Sequence, residues 1–317
     1  MTRIAILDDY HNVSLKLADW ESLPGSPEIT VFTDYVGNED RVAERLAGFD
    51  IVAIMRERTP FPASLIRRLP DLRLLVTTGA RNASIDLEAA ATAGVAVCGT
   101  GGSAASTAEL AWGLILALTR YIPTEHTSMK TGGWQTRLGR GLGDQTLGIV
   151  GLGRLGSQVA TVGKAFGMDM IAWSQNMTDA QAEAAGARRV DKAELFETAD
   201  IITIHLVLSE RSRGLVGTAE FAAMKPTACL INTSRGPIVD EAALVDALSS
   251  GRIAGAGLDV FDIEPLPADH ALRGLDNVVL TPHIGYVAED VYRIFYTQIV
   301  EDIAAYLAGA PIRVITP

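Results

Sequence analysis

The stretch DQTLGIVGLGRLGSQVATVGKA, residues 144–165, decides the expected fold of this chain. Residues 146–150 (TLGIV) are short, apolar and β-branched, which is typical of a buried strand. Residues 155–165 carry apolar side chains at roughly helical spacing. The stretch therefore predicts a strand, a glycine-rich turn and a helix, in the order found in a βαβ unit that binds a nucleotide.

The turn itself has the spacing G-x-G-x-x-G, formed by Gly151, Gly153 and Gly156. In such a turn the first glycine allows a tight bend, the second lets the backbone approach a pyrophosphate, and the third lets the helix pack closely. The pyrophosphate would lie at the N-terminus of the helix. A dinucleotide site is the preferred interpretation, and a purely structural turn is the alternative. A Walker-type phosphate loop is disfavoured, because no Gly-Lys-Ser/Thr follows.

Length and composition limit the class of protein. The chain has 317 residues, of which 48% are apolar, so two domains with substantial cores are expected. The formal net charge is -11 and there is no long basic run, which argues against a nucleic-acid partner and favours a small-molecule ligand. The longest strongly apolar run, residues 110–118, is far shorter than the ~20 residues of a membrane span. The N-terminus lacks a signal peptide, so we expect a cytoplasmic protein without a membrane segment.

The cysteine content also favours a cytoplasmic protein. Cys98 and Cys229 are the only cysteines, and each lies beside a predicted strand. We interpret both as small buried side chains in a reducing compartment. No Cys/His spacing suggests a metal site, so no metal is predicted.

Strand-like and helix-like segments alternate along most of the chain, which predicts an α/β protein with parallel sheets. A glycine-rich break at residues 99–103 precedes a long apolar helix at 107–121, so a domain crossing is expected there. We therefore expect two doubly wound, Rossmann-like domains, roughly residues 1–98 and 99–284, with a cleft between them. The predicted strands are 3–7, 29–32, 51–55, 72–77, 95–98, 146–150, 168–173, 201–206, 228–232, 253–258 and 278–280.

Three polar segments follow late predicted strands and contain Arg235, Glu264 and His283. Ligands of open parallel sheets bind beyond the carboxyl ends of the strands. An arginine can hold a carboxylate in a bidentate fork, and a histidine can exchange the proton of a hydroxyl group. A glutamate can orient the imidazole and stabilise its protonated form. Hydride transfer to a 2-oxo acid needs these groups. The alternatives are that Arg235 is a surface charge, Glu264 an ordinary turn acid and His283 a buried histidine.

The motifs GLGRLG, NTSRGPIVD, GAGLDVFDIEPLP and TPHIG, in this order, closely resemble those of the D-isomer-specific 2-hydroxyacid dehydrogenases. The upstream TTGARNASIDLEAA, residues 77–90, also resembles the substrate-side loop of that family. The resemblance implies that Arg235, Glu264 and His283 are catalytic, and that Asp259 lies near the nicotinamide carboxamide. It implies a homodimer, and a flavodoxin-like substrate and catalytic domain formed by residues 1–98 and 285–317.

The resemblance also implies binding residues. The loop 79–82 would help to hold the substrate carboxylate through backbone N–H groups, so the substrate-binding residues are expected to be Gly79, Ala80, Arg81 and Arg235. The residues expected to contact the cofactor are Thr107, Gly151, Gly153, Arg154, Leu155, Gly156, Ser174, Thr233, Ser234, Asp259 and Gly285.

Three departures from the family pattern affect these expectations. NAD enzymes usually carry an acid after the second strand, whereas Trp173 is followed here by Ser174, so NAD and NADP both stay open as cofactors. The sequence HLVLS at 205–209 lacks the usual proline, and we interpret His205 as structural. Finally, Arg81 replaces a residue that is often small. Arg56, Arg58 and Arg81 either bind a second anionic group of the substrate or pair with acids such as Glu57.

These features predict an NAD(P)-dependent oxidoreductase that interconverts a small D-2-hydroxy acid and its 2-oxo acid, for example a glyoxylate- or hydroxypyruvate-type reductase. Two alternatives are an NAD-binding module of the co-repressor kind and a related NAD enzyme acting on another small acid.

Overall fold

The structure is a computed structural model that describes all residues, 1–317. The chain divides into two compact units: unit 1 contains Met1–Ser103 and Ala288–Pro317, and unit 2 contains Ala104–Val287. No helix combines the length and the apolar character that a membrane crossing requires. The expected domain boundaries fell after residues 98 and 284, and the functional assignment of each unit stays a prediction.

Unit 1 contains a five-stranded parallel sheet in the order β2-β1-β3-β4-β5. This is the order of flavodoxin-like doubly wound sheets. Central strands β3 and β4 are buried along their whole length, in agreement with their continuous apolar sequences. The strands are β1 Arg3–Ile6, β2 Glu28–Val31, β3 Ile51–Ile54, β4 Leu74–Thr77 and β5 Ala96–Gly99. The helices are α1 Ser14–Leu17, α2 Glu39–Leu46, α3 Ala63–Ile66 and α4 Leu87–Thr92.

The C-terminal segment completes unit 1. Helix α12, Glu289–Leu307, packs against β4 and β5, and its buried side chains include Phe295 and Tyr296. The tail then runs antiparallel to β5, since Ile315 N–H donates to the Val97 carbonyl at 2.8 Å. The β5 edge of the sheet is thereby paired.

Unit 2 contains a seven-stranded parallel sheet in the order β12-β11-β10-β9-β6-β7-β8. Counted from β6, this is the doubly wound dinucleotide-binding order, and the strand order reverses between β6 and β9. The strands are β6 Thr146–Val150, β7 Asp169–Trp173, β8 Arg188–Arg189, β9 Ile201–Ile204, β10 Cys229–Asn232, β11 Gly255–Leu258 and β12 Val278–Leu280. The helices are α5 Ala105–Thr119, α6 Ile122–Lys130, α7 Arg154–Ala165, α8 Asp179–Ala184, α9 Lys192–Thr198, α10 Thr218–Ala223 and α11 Glu241–Ser249. The predicted α/β class with two doubly wound parallel sheets is confirmed.

The register of the unit 2 sheet brings six strands to an end at the same level. The residues paired across neighbouring strands at this level are Trp173, Val150, Ile204, Asn232, Leu258 and Leu280. The residues that follow each strand therefore share the carboxyl edge of the sheet, where the candidate site lies.

Candidate active site

The glycine turn begins at this edge, directly after β6. Gly151 has φ +98°, and a Cβ there would lie 2.6 Å from the His205 carbonyl oxygen, so only glycine allows β6 and the segment after β9 to approach this closely. Helix α7 begins at Arg154 with Gly153 as its N-cap, and neither a capping side chain nor an acid occupies its first turn. Its first N–H groups are therefore available to an anion, and the space around Gly153 is open. This cradle fits the pyrophosphate of a dinucleotide.

Further expected cofactor positions lie along the same edge. Thr233 follows β10, and its buried hydroxyl has no hydrogen-bond partner within the protein, which is unusual for a buried polar group. A bound cofactor would supply the missing partner. Thr107 differs, because its hydroxyl already donates to the Gly285 carbonyl at 3.0 Å. Ser174 follows β7, half-buried, with no carboxylate in the next two positions.

The segment after β10 holds Arg235 in a fixed backbone conformation. The Asn232 side chain donates to the Arg235 carbonyl at 2.9 Å and accepts from Ser234 N–H at 3.0 Å. Ser234 Oγ donates to the Ile204 carbonyl at 2.7 Å, which attaches the segment to β9. Arg235 Nη1 donates to the Ser234 carbonyl at 2.8 Å, so the half-buried guanidinium stays near its own strand end.

Glu264 and His283 form a close pair. Glu264 Oε2 lies 2.6 Å from His283 Nδ1, and Glu264 Oε1 accepts from Phe261 N–H at 2.9 Å. Since a carboxylate only accepts, Nδ1 carries the proton, and Nε2 is the ring nitrogen left to exchange a proton with a substrate. The ring also contacts Tyr286 edge-on, at 5.4 Å between ring centroids. The arrangement is that of an oriented acid–base histidine.

Asp259 holds the turn that carries His283. Its carboxylate, 1% exposed, accepts from Thr281 Oγ1 at 2.6 Å, Ile284 N–H at 2.8 Å and Gly285 N–H at 2.8 Å. Burial raises the pKa of Asp259, and these three donors oppose that rise. Sequence reasoning placed Asp259 beside the cofactor and missed this positioning role. A lone acid directly after an apolar strand is the only signal that could have indicated it.

His205 lies at the same edge but has no acid partner. Its Nε2 lies 2.9 Å from Thr203 Oγ1, and its buried Nδ1 has no partner. Burial lowers the pKa of His205 to about 3, so the ring is neutral at physiological pH. These features agree with the structural interpretation of His205.

The expected substrate loop, residues 79–82, lies in unit 1 after β4. Gly79 N–H donates to Thr100 Oγ1 at 2.8 Å, so it is already used within the unit. Asn82 is buried and donates to Thr77 Oγ1 at 2.8 Å. Ala80 and Arg81 are exposed, and neither backbone N–H is used as that of Gly79 is, so both can reach a substrate carboxylate.

The three arginines of unit 1 differ in their surroundings. Arg58 donates to the Asp8 carbonyl at 2.8 Å and lies 4.3 Å from the centroid of the Tyr10 ring, so it stabilises the loop after β1. Arg56 lies 3.8 Å from the carboxylate of Glu57, as the ion-pair alternative predicted. Arg81 is exposed. Of the three, Arg58 is therefore the least suited to a substrate anion.

Comparison with known proteins agrees with this geometry. Residues 112–285 match the family model described as "D-isomer specific 2-hydroxyacid dehydrogenase, NAD binding domain". The D-3-phosphoglycerate dehydrogenase of Methanocaldococcus jannaschii is 36% identical over 98% of this chain and 58% of that protein. A hydroxypyruvate reductase of Thermotoga maritima is 35% identical over 89% of this chain and 92% of that protein. The crystal structure of phosphoglycerate oxidoreductase from Vibrio cholerae has a TM-score of 0.93 and 38% identity, covering 98% of this chain and 100% of that chain.

The fold and the match to an NAD-binding family model define a dinucleotide-binding protein with two doubly wound sheets. The chain belongs to the D-isomer-specific 2-hydroxyacid dehydrogenase family. The predicted family is thus confirmed. The chain spans a little over half the length, 58%, of the M. jannaschii relative.

Proposed function

We propose that this protein is an NAD(P)-dependent dehydrogenase that interconverts a small D-2-hydroxy acid and its 2-oxo acid. The observation that carries the proposal is the Glu264–His283 pair, 2.6 Å apart, at the sheet edge that also holds Arg235 and the glycine turn. Similarity to a hydroxypyruvate reductase and to a D-3-phosphoglycerate dehydrogenase supports the same reaction class.

Each residue has a defined task in this proposal. The bound nicotinamide supplies or accepts the hydride. The Arg235 guanidinium binds the substrate carboxylate and polarises the adjacent carbonyl group. In the reducing direction, His283 gives the proton on Nε2 to the carbonyl oxygen, and in the oxidising direction it takes that proton back. Glu264 holds the imidazole through Nδ1 and stabilises the imidazolium ion.

Kinetics of two variants test the proposal. We expect Arg235→Ala mainly to raise KM, and His283→Ala mainly to lower kcat, by about 10²–10⁴-fold. The measurement is the absorbance of the reduced cofactor against a panel of 2-oxo acids, with NADH and NADPH in parallel. If both variants behave like the wild type, the assignment is rejected.

The natural substrate is proposed to be of the glyoxylate or hydroxypyruvate kind. A second anionic group on the substrate would have the exposed Arg81 as its partner in unit 1. The same panel tests this point when it includes phosphate- and succinate-bearing 2-oxo acids. If these react no better than glyoxylate or pyruvate, the second-anion hypothesis fails, whereas the dehydrogenase proposal stands.

A cytoplasmic homodimer is the proposed form of the protein. Residues 121–140 of unit 2 expose several large apolar side chains, including Trp134 at 72% and Leu138 at 94% exposure, which is typical of an association surface. Light scattering of the wild type and of Trp134→Glu tests the dimer, and a monomeric wild type rejects it. The two unpaired cysteines support a reducing compartment, which cell fractionation checks.

A further inference from the structure

Besides Glu264 and His283, unit 2 contains a second carboxylate–histidine pair, Glu241 and His270. Glu241, the first residue of α11, places Oε1 3.0 Å from His270 Nε2 and accepts from Asp262 N–H through Oε2 at 3.3 Å. Both side chains are largely shielded, with 23% of Glu241 and 20% of His270 exposed. One carboxylate therefore joins two parts of the segment between β11 and β12, the segment that contains Glu264.

The protonation of His270 follows from its other contact. Leu272 N–H donates to His270 Nδ1 at 3.3 Å, at the start of the short 3₁₀ helix Ala271–Gly274. Because Nδ1 accepts, the proton of the neutral ring lies on Nε2, which donates to Glu241. Glu241 thus receives two donors, and a carboxylate is the side-chain group that can accept on both oxygens at once.

This contact is adjacent to the bond that orients Glu264. Phe261 N–H donates to Glu264 Oε1, and the next N–H along the chain, that of Asp262, donates to Glu241. On the other side, a Cβ on Gly236 would overlap the Phe261–Asp262 peptide, so this peptide packs directly on the backbone after Arg235. The peptide is fixed between α11 and the Arg235 segment.

We propose that Glu241, together with His270, is a positioning residue for Glu264. The pair fixes the Phe261–Asp262 peptide and thereby the position of Phe261. The Phe261 N–H, which belongs to the preceding Val260–Phe261 peptide, then fixes one oxygen of Glu264, and the other oxygen meets His283 Nδ1. Glu241 touches neither substrate nor cofactor in this scheme. The inference rests on the proposed function for its kinetic consequence, whereas its structural consequence is independent of it.

Three variants and one matched control test the inference. Glu241→Ala removes both acceptor oxygens, Glu241→Gln keeps one, and His270→Asn keeps a cap for Leu272 N–H but is too short to reach Glu241. Asp240→Ala is the control, because Asp240 caps the same helix through Ala243 N–H at 3.0 Å and contacts neither Asp262 N–H nor His270. Any effect of simply weakening the start of α11 is shared by the control.

The kinetic readout is the division between kcat and KM. We expect Glu241→Ala and His270→Asn to lower kcat about tenfold, with KM unchanged within about twofold, because a loosened acid–base pair impairs proton transfer but not carboxylate binding. Glu241→Gln should lie between these variants and the wild type, and Asp240→Ala should match the wild type.

The second readout needs no turnover. In the cofactor-free protein, a proton in the 2.6 Å Glu264–His283 bond should give a low-field proton NMR resonance, assigned by its loss in His283→Asn. We expect this resonance to broaden or vanish in Glu241→Ala and His270→Asn, and to persist in Asp240→Ala. If Glu241→Ala does not fold, the comparison uses Glu241→Gln and His270→Asn.

Two outcomes overturn the inference: wild-type kcat and resonance in the Glu241 and His270 variants, or equal losses in Asp240→Ala. A wild-type protein that reduces no 2-oxo acid overturns the proposed function instead, and the resonance comparison still decides the positioning role.

Discussion

Asp259 and Gly285 are joined across the carboxyl edge of the unit 2 sheet, where Gly285 N–H donates to Asp259 Oδ2 at 2.8 Å. The other oxygen accepts from Ile284 N–H and from the Thr281 hydroxyl. The Gly285 carbonyl in turn accepts from Thr107. A buried carboxylate after β11 therefore closes the turn after β12, and that turn presents His283.

Asp259→Asn should loosen this turn. The amide that replaces one carboxylate oxygen cannot accept, so at least one buried N–H or hydroxyl group loses its partner, at a cost of about 1–3 kcal/mol in the free energy of unfolding. We expect kcat to fall further than substrate affinity, because the displaced group is the acid–base histidine. Urea denaturation and steady-state kinetics measure the two effects. An unchanged unfolding midpoint would show that the turn does not depend on the carboxylate.

Ser174→Asp should shift cofactor preference towards NAD. An acid at this position, directly after β7, accepts from the ribose 2′-hydroxyl of NAD and repels the 2′-phosphate of NADP. We expect kcat/KM with NADPH to fall about tenfold or more, relative to NADH. Ser174→Arg should act in the opposite direction and is the paired control. If neither variant changes the NADH to NADPH ratio, residue 174 does not contact this part of the cofactor.

His205 should make the protein acid-labile. Its pKa in the folded state is lowered to about 3 by burial, so the unfolded chain binds a proton at higher pH than the folded protein does. This contribution to stability is complete above pH ~6.5 and is lost as the pH falls towards 3, by about 2 kcal/mol at pH 5. The comparison of unfolding midpoints between pH 7.5 and pH 5 should show a smaller loss in His205→Gln. Parallel pH profiles of the two proteins would contradict the prediction.

Asp302 in unit 1 should lower the stability of the protein as the pH rises, which is the opposite of the pH dependence that His205 produces. Burial raises its pKa to about 6, against the opposing effect of Arg313, whose Nε lies 2.9 Å from Asp302 Oδ1. An acid with a raised pKa destabilises the fold once it ionises, so its contribution is most favourable below pH ~3.9 and worsens as the pH rises to about 6, by roughly 3 kcal/mol in all. Asp302→Asn should lack this loss between pH 4.5 and pH 7.5.

Glu301→Gln is the matched control for Asp302, because Glu301 pairs with the same arginine but is half exposed. We expect it to keep most of the wild-type pH profile, with a small shift to lower pH, because the charge of Glu301 makes the smallest contribution to the raised pKa of Asp302. A wild-type profile in Asp302→Asn as well would mean that the ion pair with Arg313 fully compensates burial.

The sequence predicted those parts of the fold that depend on local pattern. Strands were expected at 146–150 and 278–280 and are found as Thr146–Val150 and Val278–Leu280. Helix α6, Ile122–Lys130, was not predicted, since none of its residues is buried and it therefore has no apolar face to produce a period. The antiparallel pairing of the tail with β5 was missed for another reason, because a few hydrogen bonds between distant residues leave no local signal.

For the candidate site, too, residues within local motifs could be predicted from the sequence, whereas their distant partners could not. Arg235, Glu264 and His283 were identifiable because each follows a strand in a recognisable motif. The partners that hold them were not: Glu241 and His270 are 29 positions apart, and Asp259 reaches a turn more than 20 residues later. Which N–H groups of the substrate loop are free also depends on a tertiary contact, the bond from Gly79 to Thr100.

Unit 1 is discontinuous in sequence, since α12 and the tail that pairs with β5 come after all of unit 2. During synthesis on the ribosome, residues 104–287 emerge before the last elements of the first sheet exist. Until then, the face of the unit 1 sheet that α12 covers and the β5 edge stay exposed, while unit 2 can already fold. Ribosome pauses or chaperones would consequently act most strongly on β4 and β5, the strands that α12 and the tail later cover.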